Sequence, residues 1–454
     1  MKRNVNMLSG SITKGLLALS IPVIIMNVLQ SLFNMIDMTV LRNFAQNADI
    51  AIGAIGASGF LTSLVTSLVF GISTGANVIL ARHLGRRDQE GVKRSVGTAM
   101  AFVIVGSIVL MLVGILGARQ FLVWTNCDEA LLPDATMYFQ LYFAASPFIV
   151  FSNFAGALLR AKGDSNGPMI YMTVGGVVKV LASAFAVAVL KMGLLGVSLA
   201  TIVSWCVTAL LYARAVWKKD NPLCIGRDHI RFYKTELKGM LHIGIPAGMQ
   251  TALYSIANVV IQTAVNGFGK EATAGLGIAN IYDGIIYNIS VGAAAAVMPY
   301  MSQNIGAGNI ARAKKAMLRG IWITVALGGA LGASSAIFSG PLSSIMSADP
   351  TVIAFSQQKM IVVSSCYFLC GINEIMCAAL RAMKKPIVPT VATLAYMCGI
   401  RFPWVYVIFP LLPNNLTFLY LIWPIGWILS IVTLLPYYIC NMKKLEKEYK
   451  TLTK

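Results

Sequence analysis

Apolar stretches of about 20 residues, separated by short polar segments, recur along all 454 residues of the chain. A helix of roughly 20 apolar residues is long enough to cross the hydrocarbon core of a bilayer. The pattern therefore predicts an all-α polytopic membrane protein with 12 transmembrane helices. The predicted spans are residues 15–40, 50–80, 94–117, 132–158, 167–190, 193–216, 239–263, 272–302, 316–339, 352–380, 386–412 and 417–441.

The second six spans repeat the first six. Ile21-Pro22 returns 224 positions later as Ile245-Pro246, and Asn34 returns as Asn258. Internal repeats of multi-helix halves are typical of secondary transporters. Because each half has an even number of spans, both halves enter the membrane in the same orientation. This predicts two six-helix lobes related by a pseudo-two-fold axis along the membrane normal. At an offset of 221 the further matches are Gly56 with Gly277, Gly71 with Gly292, Gly85 with Gly306, Lys93 with Lys314, and Leu159-Arg160 with Leu380-Arg381.

A densely charged segment that contains Pro222 and Gly226 separates the two halves. It predicts a cytoplasmic linker at 217–238, between an N-terminal lobe at 1–216 and a C-terminal lobe with a basic tail at 239–454.

Glycine and proline interrupt several spans. Pro22 and Pro246 are hinge candidates, because proline removes one backbone hydrogen bond from a helix. Close packing of helices through small residues is the alternative explanation for the glycines. Gly85 and Gly306 each end the second span of a half and are expected to be left-handed C-caps.

The distribution of charged residues along the chain predicts its topology in the membrane. The chain is 57% apolar and 12% charged, with a mean hydropathy of +0.73 and a net charge of +19. Most basic residues fall on alternate loops, which predicts a plasma-membrane protein with both termini in the cytoplasm. Lys2, Arg3 and Lys14 precede an apolar run without a small-residue cleavage site, so this run is expected to be the first span. The bilayer, and not a nucleic acid, is the expected partner of the basic surface.

Metal and hydrolase chemistry have little support. The 8 cysteines form no CxxC pair, and the 3 histidines lie away from the middle of any predicted span. Neither a metal site, an organic cofactor nor an enzymatic activity is expected.

Charged side chains inside the membrane are costly and usually face a cavity or one another. Buried ion pairs that fix helix register are the competing structural interpretation. Five candidates lie within the predicted spans, namely Asp37, Lys179, Asp283, Glu374 and Arg401.

Asp37 is the strongest candidate for ion coupling. Asn34 lies one helical turn before it, on the same face. A carboxylate in an apolar cavity can take up a proton on one side of the membrane and release it on the other. Sodium, bound with help from the Asn34 carbonyl, is the alternative coupling ion. In the second half Asn258 matches Asn34, but Ile261 stands at the position of Asp37. Coupling is therefore predicted in the N-terminal lobe.

Lys179 and Arg401 occupy equivalent positions in the fifth span of each half. Lys179 is expected to pair with Asp37, or to act as an internal cation that a cationic substrate displaces. Arg401 can pair with Asp283 or Glu374. The predicted depth in the membrane, at about 1.5 Å per residue, favours Asp283.

Several motifs resemble the MATE (multidrug and toxic compound extrusion) transporters, over essentially the whole chain. They are Leu17-Ala18-Leu19-Ser20-Ile21-Pro22, Asp37, Phe70-Gly71-Ile72-Ser73-Thr74-Gly75-Ala76, Ile305-Gly306-Ala307-Gly308, and Glu374 followed by Ala379-Leu380-Arg381. The sequence looks closest to the DinF-like bacterial branch. The resemblance implies a two-lobe exporter that expels organic cations in exchange for protons or sodium.

The resemblance also implies roles for particular residues. Asp37 coincides with the acidic residue of the family's first helix, and Thr201 with a polar position of the sixth helix near that acid. The fifth helix departs from the family, since Lys179 and Ser183 stand where an Asn-Ile-x-x-Asp or Asn-Ile-x-x-Asn pattern is common. The glutamate of the seventh helix in vibrio-type sodium exporters is absent from the region of Gln250, Tyr254 and Asn258.

The leading hypothesis is a monomeric antiporter of cationic amphipathic molecules. A flippase for lipid-linked saccharides, within the same superfamily, is the alternative, and Lys179 and Arg401 give it some support. A channel or receptor is a third hypothesis, which the duplicated chain with lone charges fits poorly, because a channel would more naturally close a symmetric pore from several subunits.

Overall fold

The computed structural model describes residues 5–125, 127–413 and 415–452, without the side chains of residues 60, 227 and 452. Within these ranges the regular structure is entirely helical. Lys2 and Arg3, two of the predicted topology charges, lie outside the described residues.

The first half contains seven helices. They are α1 (Ile12–Phe44), α2 (Ala48–Arg86), α3 (Gln89–Trp124), α4 (Leu132–Ala144), α5 (Ser146–Lys162), α6 (Asn166–Ala184) and α7 (Gly193–Val216). The last turn of α6 continues as a π-helical stretch, Phe185–Val189.

The second half repeats this order with more interruptions. Its helices are α8 (Lys234–Asn266), α9 (Lys270–Gly306), α10 (Ile310–Ile337), α11 (Ser339–Ser344), α12 (Pro350–Val363), α13 (Tyr367–Ala382), α14 (Ile387–Thr393), α15 (Arg401–Pro403), α16 (Leu416–Tyr420) and α17 (Ile422–Leu452).

In the described part of the chain, 10 helices are long and apolar enough to cross a membrane, or 11 if the bent pair α4 and α5 forms one span. The predicted seventh span, 239–263, lies in α8, which has 33 residues but is not among these apolar helices. Polar side chains such as Gln250, Thr251 and Asn258 lower the hydropathy of α8.

Two predicted spans are distorted at prolines. The helices α4 and α5 meet at an angle of 48°, where Pro147 follows Ser146 in the first turn of α5. Proline lacks an N–H donor and restricts the preceding residue, so the helix cannot continue straight. The span 387–411 contains π-helical stretches at Leu394–Gly399 and Trp404–Ile408, on both sides of α15.

The chain forms two compact units. One contains Ile25–Gly248 with Val5, and the other contains Asn6–Ile24 with the residues from Met249 onward. These bounds differ from the predicted lobes, because the linker and the start of α8 belong to the first unit, and the start of α1 belongs to the second. The boundaries at Ile24 and Gly248 are themselves 224 positions apart.

Small residues explain this division. In the first unit, a Cβ atom on Gly71 would lie 2.3 Å from the Gly248 backbone nitrogen, and one on Gly75 would lie 2.1 Å from the Met240 oxygen. In the second unit, a Cβ atom on Gly292 would lie 2.4 Å from Ile24 Cγ1. Gly71 and Gly292 are repeat partners. Gly71 packs against the first part of α8 in the first unit, and Gly292 packs against the first part of α1 in the second unit.

The expectation that Gly85 and Gly306 are left-handed C-caps is wrong. Both glycines remain helical, and the left-handed residues lie two positions later, at Arg87 with φ 57° and Gly308 with φ 76°. The helices α3 and α10 begin directly afterwards. Their N-caps are Asp88, which accepts from Gly91 N, and Asn309, which accepts from Arg312 N.

Candidate functional site

Asp37 pairs with Lys179 in the interior of the first unit. Lys179 Nζ lies 2.6 Å from Asp37 Oδ2 and donates to Asn34 Oδ1 at 3.1 Å. Asp37 is 4% exposed, and the lysine side chain is 17% exposed. The helix α1 places Asn34 and Asp37 one turn apart, and α6 brings Lys179 to both. The predicted pairing of Lys179 with Asp37 is thus present in the structure.

The other carboxylate oxygen of Asp37 is not satisfied. Among the described residues, Asp37 Oδ1 is buried without a hydrogen-bond partner, and so is the hydroxyl of Ser183, one turn after Lys179. The Thr201 hydroxyl donates to Val197 O at 2.9 Å, within its own helix. Thr201 is therefore not joined to the acid by a hydrogen bond here.

The second unit repeats the contact between cation and asparagine. Arg401 Nη1 donates to Asn258 Oδ1 at 2.7 Å, and Arg401 is 2% exposed. Its guanidinium carbon lies 5.3 Å from the centre of the Tyr254 ring and 5.1 Å from that of Trp423. Lys179 and Arg401 thus have equivalent asparagine partners, in keeping with their equivalent places in the sequence.

Asp283 does not pair with Arg401, which corrects the sequence expectation. Its Oδ2 lies 2.9 Å from Lys359 Nζ, and its Oδ1 accepts from the Ser364 hydroxyl at 2.8 Å. Lys359 also donates to Asn280. The depth of a residue in the membrane follows from its sequence position, but the direction of its side chain around the helix depends on packing.

Lys359 is the charged residue that sequence reasoning missed. It lies within the predicted span 352–380 and is 1% exposed. It stands near the start of that span, directly after Gln357 and Gln358. A search for every charge inside a predicted span would have found it.

Gln250 and Glu374 have different surroundings in the second unit. Gln250 donates to Thr393 Oγ1 at 2.7 Å and accepts from Arg381, so it links three helices. Glu374 is half-buried, and no basic group of the described residues forms an ion pair with it. The hinge candidates Pro22 and Pro246 lie inside α1 and α8, each two positions before the boundary between units.

A known family matches this chain in both of its halves. The MatE family model matches residues 22–185 and again 246–407, which follows the internal repeat.

Individual relatives extend over nearly the whole chain. The probable multidrug resistance protein YoeA of Bacillus subtilis is 24% identical over 96% of this chain and 95% of its own length. The FAD transporter of Shewanella oneidensis is 24% identical, and the match covers 89% of each protein.

Solved structures show the same fold. The crystal structure of MATE in complex with MaL6 matches with a TM-score of 0.91 at 20% identity, over 98% of this chain and 100% of the other. The prediction of an all-α polytopic membrane protein with a twelve-helix layout is confirmed. The members of this family are transporters and not enzymes, and the chain belongs to the MatE family.

Proposed function

We propose that this protein is a multidrug exporter that works by alternating access and exchanges its substrates for protons at Asp37. The observation that carries the proposal is the state of the Asp37 carboxylate. One of its oxygens is held by Lys179, and the other is buried without a partner in the described part of the chain.

Burial of a charged carboxylate oxygen without a partner is costly, and a proton at Oδ1 removes the negative charge that causes most of this cost. Protonation also neutralises Asp37 and weakens its attraction to Lys179. The lysine then retains the Asn34 carbonyl as its acceptor. Uptake and loss of one proton would thus switch α1 and α6 between a paired and an unpaired arrangement.

The same geometry favours protons over sodium. A sodium ion at Asp37 would need the carboxylate and the Asn34 carbonyl as ligands. Both already contact the Lys179 ammonium, so neither is available as a sodium ligand while the lysine stays in place. A proton needs only the free Oδ1.

The proposed substrates are small cationic amphipathic molecules. YoeA is described as a probable multidrug resistance protein, and the Shewanella relative as a transporter of FAD. We extend the multidrug activity to this chain because Asp37 gives the first unit an acid that a cationic substrate can use in exchange. We also propose a monomer of the DinF-like branch in the plasma membrane, with both termini in the cytoplasm and with Pro22 and Pro246 as hinges.

The test is efflux of a fluorescent cation such as ethidium from proteoliposomes, with proton and sodium gradients imposed separately. The proton gradient should drive efflux by the wild type, and Asp37→Asn should reduce it to the level of empty vesicles. Lys179→Asn should bind ethidium but lose the dependence on the gradient, because protonation of Asp37 then no longer breaks an ion pair between α1 and α6.

Gly56→Ala is a suitable control, because a Cβ atom at this position meets no other atom within 4 Å. Normal efflux by Asp37→Asn under either gradient would remove Asp37 from the coupling step. Efflux driven by sodium alone would replace the proton with sodium. Stimulation by a lipid-linked saccharide without ethidium efflux would favour the flippase.

A further inference from the structure

Arg401 is a buried cation without a carboxylate partner. It is 2% exposed, and among the described residues no Asp or Glu oxygen lies within ion-pair distance of its guanidinium. Its hydrogen bond is to the neutral amide oxygen of Asn258. Burial of an unpaired charge costs several kcal/mol, so such groups normally have a counter-ion.

The first unit shows what completes this arrangement. Lys179 contacts the oxygen of Asn34 and, in addition, the carboxylate of Asp37. Both partners come from α1, one helical turn apart.

In the second unit the asparagine is kept and the carboxylate is lost. Asn258 corresponds to Asn34, but Ile261 replaces Asp37 and is 1% exposed in an apolar cluster. Arg401 therefore has the neutral asparagine partner that Lys179 has, but an isoleucine stands where Lys179 finds its carboxylate.

No carboxylate of the described residues forms an ion pair with Arg401, and this includes the half-buried Glu374. Asp283 is engaged by Lys359 and Ser364. Lys359 and Arg401 lie 5.4 Å and 5.1 Å from the centre of the same Trp423 ring. Of these two cations, Lys359 has a carboxylate partner, and Arg401 has none among the described residues.

The residues that contact Arg401 differ in exposure. Asn258, which accepts its hydrogen bond, is exposed, and Tyr254 is half-buried. The helix around Arg401 is π-helical on both sides, at Leu394–Gly399 and Trp404–Ile408. Such stretches are frequent at functional sites, where they change the direction of side chains.

We propose that Arg401 binds the carboxylate or phosphate group of an aromatic ligand, which replaces the Asn258 oxygen. A guanidinium binds such groups through two parallel hydrogen bonds, which are stronger than a bond to a neutral amide. The rings of Tyr254 and Trp423 would contact the aromatic part. This anion site goes beyond the proposed exchange of cations at Asp37, and it is tested by equilibrium binding without any gradient.

The experiment compares 2-naphthoate with 2-naphthamide, two ligands of the same size that differ in charge. Binding to the full-length protein in phosphatidylcholine nanodiscs is measured by calorimetry. The wild type should bind naphthoate at least about tenfold more tightly, because one charge-assisted contact is worth that factor. Competition by phosphatidylglycerol would identify a lipid head group as a natural source of the anion, and its absence would favour a soluble ligand.

Two variants test the assignment to Arg401. Arg401→Gln removes the charge, and Ile261→Asp supplies the carboxylate that the second unit lacks. Each should abolish the preference for naphthoate, whereas Lys270→Gln, at an exposed lysine, should keep it. If Arg401→Gln does not fold, Ile261→Asp and the wild-type comparison still decide the question.

Equal binding of the two ligands by the wild type would overturn the proposal. A preference that persists in Arg401→Gln or in Ile261→Asp would overturn it as well. Since no transport is measured, these outcomes are independent of whether Asp37 couples export to protons.

Discussion

Two buried carboxylates, Asp37 and Asp283, each pair with a lysine, but their second oxygens have different surroundings. Asp283 Oδ1 accepts a hydrogen bond from Ser364, so both of its oxygens are satisfied. Asp37 Oδ1 has no partner among the described residues. Both oxygens of Asp283 thus have partners that join α9 to α12, whereas the unsatisfied oxygen of Asp37 is the place where the proposed proton would bind.

Lys359→Met should therefore destabilise the protein by about 3–5 kcal/mol, because it leaves Asp283 buried and unpaired. The double variant Asp283→Asn/Lys359→Met should recover most of that loss and still export substrate. Thermal unfolding in detergent and efflux in vesicles would measure the two effects. A stable double variant without efflux would show that this pair also takes part in transport.

At the scale of single residues, some side-chain contacts could be predicted from the sequence and others could not. The pairing of Asp37 with Lys179 could be predicted because both are rare charges within spans of one half. The pairing of Arg401 with Asp283 was wrong, because Lys359 competes for the acid and was not considered. Two residues at similar depth meet only if their helices turn them toward each other, and packing decides that.

Two helices, α1 and α8, are each divided between the compact units at equivalent positions. Glycines hold the first part of α8 in the first unit, where Gly71 and Gly75 allow backbones to meet. The helix spans were predictable from apolar runs, and the bend between α4 and α5 has a proline at its origin. The division of α1 and α8 between the two units could not be predicted from the sequence, because the repeat shows which residues correspond but not which neighbours they contact.

Gly75→Ala should destabilise the first unit by about 1–3 kcal/mol, because the added methyl would overlap the Met240 carbonyl. Gly56→Ala, in the same helix, places its methyl in open space and should be neutral or stabilising by up to about 1 kcal/mol. Thermal unfolding followed by tryptophan fluorescence compares the two. Equal melting temperatures would contradict the close packing of α2 against α8.

The stabilisation that the N-cap residue Asp88 gives to α3 should depend on pH. The hydrogen bond from the Gly91 backbone N–H, with help from His83, holds the pKa of Asp88 below its ordinary value of 3.8. Since the folded pKa is lowered, the stabilisation is present above pH 3.8 and is lost as the pH falls through the folded value. Asp88→Ala should cost about 1 kcal/mol at neutral pH and less in acid.

Asn309→Ala is the matched control, because it removes the equivalent cap of α10 without removing a titrating group. Its cost should stay constant between neutral and acidic pH, as measured by melting temperature. The same pH dependence in both variants would show that Asp88 does not cause it.

The whole molecule combines a duplicated helical frame with unequal chemistry. Both halves match the MatE family model, and both place an asparagine against a cation from the fifth span. Among the described residues, one half adds an acid with an unsatisfied oxygen, and the other half gives its arginine no acidic partner. The family and the helical fold could be predicted from the sequence, because apolar runs and the repeat extend over the whole chain. The unsatisfied oxygen of Asp37 could not be predicted from the sequence, because it depends on which side chains the neighbouring helices bring near it.

The central claim is that Asp37 holds the proton that is exchanged for substrate. The most direct measurement is proton release when ethidium is added to the purified protein in weakly buffered detergent with a pH indicator. The wild type should release protons as it binds ethidium, and Asp37→Asn should bind ethidium without release. The Asp283→Asn/Lys359→Met variant should release protons as the wild type does. Undiminished release from Asp37→Asn, or substrate binding by the wild type with no release, would contradict the claim.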